Sequence, residues 1–170
     1  NYLANIPTEE VFTLPKKNGV NGVVYSTKPL SYSGNLIENF NITFEDGKIV
    51  DFEAEKGQEY LKNLIETDEG SRYLGEVALV PHKSPISKKD TIYFNTLFDE
   101  NASCHLAIGN AYMSCVKNGS ELNDDELEKI GFNKSLTHVD FMIGSPNLNI
   151  YGETFQGEEI QIFKDGNWNI

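Results

Sequence analysis

The alternation Phe40-Asn41-Ile42-Thr43-Phe44, interrupted by Glu45-Asp46-Gly47-Lys48 and resumed by Ile49, Val50 and Phe52, restricts the fold of this 170-residue chain more than any other feature. Apolar residues two apart share one face of a strand, and an Asp-Gly pair tolerates the two left-handed conformations of a tight hairpin turn. A β-hairpin is therefore expected here, inside a stretch from Gly19 to Glu55 that reads as β-structure around a Lys28-Pro29 break. Leu74-Gly75-Glu76-Val77-Ala78-Leu79-Val80-Pro81 and Ser135 to Ser145 read as further strands, and turns at Gln156-Gly157 and Asp165-Gly166 predict a closing hairpin ending at Trp168. Helical spacing of Tyr60, Leu61, Leu64 and Ile65 predicts a short helix between Gln58 and Thr67. A second starts at the capped run Asn123-Asp124-Asp125-Glu126-Leu127 and closes at Gly131. The expected architecture is a single α+β domain over residues 1–170, mostly antiparallel β with two to four helices.

The stretch from Leu97 to Tyr112 carries two carboxylates, an Asn101-Ala102-Ser103 helix start, and then His105, Ile108 and Tyr112 spaced by three and four. It reads as a helix with His105 and Tyr112 on one face, fed by a strand over Ile92 to Leu97, with Glu100 close enough to meet the His105 imidazole. Cys104 and Cys115 would lie about 16 Å apart along that helix. A disulfide needs Cα atoms within about 7 Å, so reduced thiols and a cytoplasmic setting are expected.

With 14 basic and 26 acidic residues the net charge is −12, which argues against nucleic acid and anionic membranes as partners. No apolar run approaches the roughly 18 residues of a membrane-spanning helix. The chain opens at Asn1 without a methionine and enters patterned sequence directly, as a fragment of a longer protein would.

Glu9 and Glu10 are adjacent on what reads as extended backbone between Pro7 and Pro15, so only one of them should face a given site; a solvated acidic turn is the plain alternative. Glu76 is a carboxylate on an apolar strand and needs a cation or a hydrogen-bond network if that strand is central. His138 and Asp140 are two apart on a strand and point the same way. His82, among Pro81, Lys83 and Pro85, reads as an ordinary surface residue. Two imidazoles and several carboxylates exceed what one zinc takes, and they match two divalent cations bridged by carboxylates.

Six strings in order closely resemble the aminopeptidase T, aminopeptidase S and PepS family of metallopeptidases. They are Asn5-Ile6-Pro7-Thr8-Glu9-Glu10-Val11-Phe12-Thr13, Ser26-Thr27-Lys28-Pro29-Leu30, Glu66-Thr67-Asp68-Glu69-Gly70, Leu74 to Pro81, Asn95 to His105, and His138 to Gly144. The resemblance covers the whole chain and implies the C-terminal, metal-binding part of a two-domain enzyme whose larger N-terminal α/β part is absent. It implies Glu10, Glu76, Glu100, His105, His138 and Asp140 as ligands of two divalent ions, zinc or cobalt first, with magnesium or manganese as alternatives. It also implies Tyr112 as an active-site tyrosine, peptides with a free N-terminus as substrates, and a homodimer. In the implied reaction a bridging hydroxide attacks the scissile carbonyl, Tyr112 steadies the oxyanion, and Glu76 or Glu100 moves the proton. Glu9 could hold the substrate ammonium. Two rival readings remain: a non-catalytic binding or dimerisation fragment of such an enzyme, and a mononuclear iron oxygenase using His105, His138 and Asp140.

Overall fold

The computed structural model describes residues 8–169. Asn5, Ile6 and Pro7 of the first string lie outside the described residues. In chain order the elements are β1 (Val11–Thr13), β2 (Gly22–Tyr25), β3 (Leu30–Tyr32), β4 (Asn35–Glu45), β5 (Lys48–Lys56), α1 (Gln58–Ile65), β6 (Leu74–Leu79), α2 (Thr96–Asp99), β7 (His105–Gly109), α3 (Asp124–Lys129), β8 (His138–Met142), β9 (Ile150–Glu153), β10 (Glu159–Lys164) and β11 (Asn167–Trp168). Every strand pairing among the described residues is antiparallel, so the α+β, mainly antiparallel expectation holds.

One sheet is built on the long strand β4, which pairs with β5 along one edge and with β2 and β3 along the other. Asp46 and Gly47 both take positive φ, at 48° and 83°, which is the tight hairpin turn read from the sequence. Asp165 and Gly166 do the same between β10 and β11, at 49° and 71°. Phe40, Ile42 and Phe44 are all buried, and α1 adds Leu61, Leu64 and Ile65 to the same core. The second sheet runs β1-β6-β7-β8. Its inner face contributes Leu74, Ile108, Val139 and Phe141, and the Phe40 and Phe141 rings meet at 5.5 Å between centroids, joining the two sheets.

Within this sheet a bulge decides which way a key side chain points. Leu74 sits opposite Ile108, but Glu76 sits opposite Ala107, so two residues of β6 are matched by one of β7. In a regular strand Leu74 and Glu76 would share a face; the extra residue sends Leu74 into the core and Glu76 to the other side. Gly75 is at the bulge, and a Cβ there would come within 2.3 Å of the Asn110 carbonyl oxygen.

Two expectations fail in the middle of the chain. Residues 92–95 form no strand: the Asp99 carboxylate accepts the N–H groups of Tyr93 at 2.7 Å and Asn95 at 3.1 Å, and the Asn95 side chain caps α2 by accepting from Leu97 N–H at 3.1 Å. Short polar side chains here capture the backbone before a ladder can. The expected helix after Asn101 is also absent. A single 3-10 turn over Glu100–Ala102 gives way to β7, the inner strand between β6 and β8. Its residues satisfy both periods, but alternation puts Leu106 and Ile108 against the core, and tertiary pairing overrides the helix propensity of the alanines. Cys104 and Cys115 consequently share no helix; both are free thiols. The capped helix α3 is present with its full capping box, Asn123 and Glu126 bonding each other's backbone.

Because the Gly75 site has no room for a methyl group, Gly75→Ala should lower unfolding stability by about 1–3 kcal/mol in a urea titration. An unchanged transition would mean that β6 can shed its bulge.

Candidate metal centre

The face of the second sheet opposite the core carries the polar cluster. Register aligns Ala78 with His105 and Met142, and Glu76 with Ala107 and Asp140, so alternate residues of β6, β7 and β8 present Glu76, His105, His138 and Asp140 on one side. Phe12 lies opposite Ala78 on β1, and Glu10, two residues earlier, joins the same face. Ala78, Ala107 and Gly109 fill the intervening positions with small groups, leaving a cavity of about 210 Å³ lined by Glu10, Phe12, Glu76, Glu100, Tyr112 and His138 among others.

The His105 Nε2 atom is 3.4 Å from Glu76 Oε1 and 3.8 Å from Glu10 Oε1. The His138 Nε2 atom is 3.7 Å from Glu76 Oε2 and 3.4 Å from Asp140 Oδ1. Glu76 thus turns one oxygen toward each imidazole. Both rings are fixed from behind: Nδ1 of His105 is 2.9 Å from the Ser103 carbonyl oxygen, and Nδ1 of His138 is 2.7 Å from that of Asn110. A carbonyl can only accept, so each Nδ1 carries the hydrogen and a neutral ring keeps its Nε2 lone pair toward the carboxylates.

This packing of charge is costly without cations. Burial, the charge of Asp140 and a hydrogen bond to it, and the charges of Glu10 and Glu76 push the Glu100 carboxyl up to about 9, so it carries a proton at neutral pH. Burial alone would also raise Asp140, but His138, His105 and the Glu100 proton hold it below its ordinary value. Burial works to depress both histidines; for His105 it is outweighed chiefly by Glu76 and Asp140, and for His138 chiefly by Asp140, so both are raised.

The donor set fits divalent ions. His105 Nε2 and Asp140 Oδ1 are buried with no hydrogen-bond partner. Glu10, Glu76 and His105 form one group, and Glu76, His138 and Asp140 a second, each with ligand atoms within 4.8 Å of one another. Ligands about 2.1 Å from a tetrahedral ion stand roughly 3.4 Å apart, close to the separations here.

Of the residues read from the sequence, Glu10, Glu76, His105, His138 and Asp140 converge in these two groups. Glu100 lines the cavity but belongs to neither group, and its partner is Asp140 rather than His105. Tyr112 also reaches the cavity, though not from a helix face shared with His105; its ring lies 4.5 Å from the His138 ring and packs edge-on to Phe12 at 6.3 Å. Glu9, in a bend just before β1, is exposed and outside the cavity lining, so it is not placed to hold a substrate ammonium there. His82 is exposed. Sequence reasoning missed Phe12, Thr96 and Leu97 as cavity walls; the two-residue spacing of Phe12 from Glu10 was the available signal.

The chain is similar to known proteins along nearly its whole length. The family model described as thermophilic metalloprotease (M29) matches residues 1–168. Aminopeptidase AmpS of Bacillus subtilis is 63% identical over 98% of this chain and 41% of its own length. Aminopeptidase 2 of Geobacillus stearothermophilus is 60% identical over 96% of this chain and 40% of its own length. The solved structure of wild-type AmpT from Thermus thermophilus matches with a TM-score of 0.90 at 45% identity, covering 98% of this chain and 41% of that one. The chain therefore belongs to the M29 metalloprotease family, and it spans about two fifths of the length of the curated relatives it matches.

Proposed function

We propose that residues 1–170 form the metal-binding catalytic domain of an aminopeptidase that releases N-terminal residues from peptides. The single observation that carries this reading is Glu76, whose two oxygens face two different imidazoles. Glu10, Glu76 and His105 would hold one divalent ion, and Glu76, His138 and Asp140 a second, with zinc or cobalt favoured by the mixed imidazole and carboxylate donors. When bound, such ions supply Lewis acidity that polarises a peptide carbonyl and lowers the pKa of a water molecule shared between them.

The protein's own groups do the rest. Glu100, a cavity carboxyl outside both ligand groups, is protonated while the neighbouring carboxylates are uncompensated; ionised once cations offset their charge, it would take the proton of the attacking water and return it to the leaving amine. The Tyr112 hydroxyl donates a hydrogen bond to the developing oxyanion. Glu76 is the shared ligand and Glu100 the proton carrier, a division the sequence left open. A single iron held by both histidines and Asp140 is disfavoured, because the two imidazoles fall in separate groups. A homodimer accompanies this reading as part of the family resemblance, and a cytoplasmic setting through the free thiols of Cys104 and Cys115. No helix among the described residues is long and apolar enough to cross a membrane.

Elemental analysis after equilibration with zinc or cobalt should find about two ions per chain, and close to none in Glu76→Gln. Two ions retained by Glu76→Gln would overturn the shared-ligand assignment. In the full-length protein, Glu100→Gln should keep its ions while kcat on aminoacyl anilides falls by about 10²–10⁴-fold; an unchanged kcat would remove Glu100 from proton transfer.

The metal-free protein should also lose stability with rising pH. Glu100 rises from 4.5 to about 9 on folding, and both histidines rise above 6.5, so each binds its proton more tightly in the folded state. The Glu100 contribution is complete below pH 4.5 and lost as the pH climbs toward 9; the lowered Asp140 matters only on the acid side of 3.8. Thermal unfolding midpoints should therefore fall between pH 5 and 9 with chelator present, and saturating ion should flatten the trend.

A further inference from the structure

We propose that Thr8 and Asn101 are positioning residues that lock Glu10 into the metal centre, an inference that rests on the metal-binding reading above. Glu76, His105, His138 and Asp140 lie within β6, β7 and β8, where ladder hydrogen bonds fix their backbone. Glu10 and Glu100 do not. Glu10 precedes Val11, the first paired residue of β1, and Glu100 opens a single 3-10 turn. Both carboxylates nonetheless reach the same cavity from positions 90 residues apart, so something outside the sheet must hold their segments in register.

A short chain of hydrogen bonds does this. The Thr8 hydroxyl oxygen accepts the Glu10 N–H at 3.3 Å and donates to Asn101 Oδ1 at 2.8 Å. Asn101 Nδ2 in turn donates to the Leu97 carbonyl oxygen at 2.8 Å. The Asn101 side chain is fully buried, next in sequence to Glu100, and Leu97 is itself a wall of the cavity. The link therefore runs from the backbone of one candidate ligand to the turn that carries the proton-handling carboxyl. Its residue types are specific. A hydroxyl can accept and donate at one atom, and a carboxamide offers an acceptor and a donor on one short planar group. Valine at 8 offers neither, and aspartate at 101 would set a charge against the Leu97 carbonyl. This role accounts for the threonine of the Thr8-Glu9-Glu10 string and the asparagine of Glu100-Asn101, which neither ion binding nor proton transfer explains.

The test measures zinc affinity by competition with a chromophoric chelator in a His138→Ala background, where only Glu10, Glu76 and His105 remain to hold an ion together. Thr8→Val should weaken that affinity by about tenfold, the scale expected when the support behind a ligand is removed. Thr8→Ser should restore it to within about twofold, since serine keeps both bonds. The metal-free thermal midpoint should move by no more than about 2 °C between these variants. Asn101→Ala should weaken binding similarly, and combining it with Thr8→Val should add little, because both cut one link. Unchanged affinity in Thr8→Val, or an equal loss at the Glu76, His138 and Asp140 group measured in a His105→Ala background, would overturn the inference. Absence of zinc from the parent protein would instead be a failure of the metal-binding reading, which the wild-type ion count detects separately.

Discussion

Four carboxylates facing one small cavity repel each other, and much of the architecture serves to keep them there. Left to themselves in water, Glu10, Glu76, Glu100 and Asp140 would swing apart. The sheet denies Glu76 and Asp140 that freedom, because β6 is tied between β1 and β7 and β8 is tied along its length to β7. Repulsion then appears as chemistry: one carboxyl, Glu100, keeps a proton, and two imidazoles with their Nδ1 atoms pinned to carbonyl oxygens point their remaining nitrogens inward. A site strained in this way gains most from a positive guest, which is the physical basis for reading it as a metal centre.

Rigidity in that sheet comes from behind it. Phe141, Ile108, Val139 and Leu74 press against the β4–β5 hairpin and α1, so the ligands ride on the outer side of a layer whose inner side is packed. Small side chains at Ala78, Ala107 and Gly109 complete the arrangement by leaving room above the strands. Larger groups at these points would fill the space that any guest must occupy.

Much of this was legible in the sequence where the signal is local. Asp46-Gly47 and Asp165-Gly166 specify their turns through backbone conformation alone, and the Asn123 to Glu126 capping box works within one turn of helix. His138 and Asp140 declared their shared face by spacing, and of the adjacent pair Glu9 and Glu10 only Glu10 lines the cavity. What stayed hidden depends on partners far along the chain. The run from His105 to Gly109 fits helical and strand periods equally, and only its neighbours β6 and β8 choose between them. The bulge at Gly75 is likewise invisible without β7 alongside, although it reverses the direction of Glu76. The loss of a strand before Asn95 came from Asp99, whose capture of two backbone N–H groups a hydropathy pattern does not register.

Strand β7 gives these contacts an evolutionary edge. Its successive residues answer to different demands: His105 and Ala107 face the site, while Leu106 and Ile108 face the interior. Selection for robustness and selection for reactivity therefore act on interleaved positions of one five-residue segment, a single peptide plane apart. A substitution that relaxes packing at Ile108 would shift the backbone that carries His105, so this segment should tolerate drift less than the hairpin tips, where no such double duty exists.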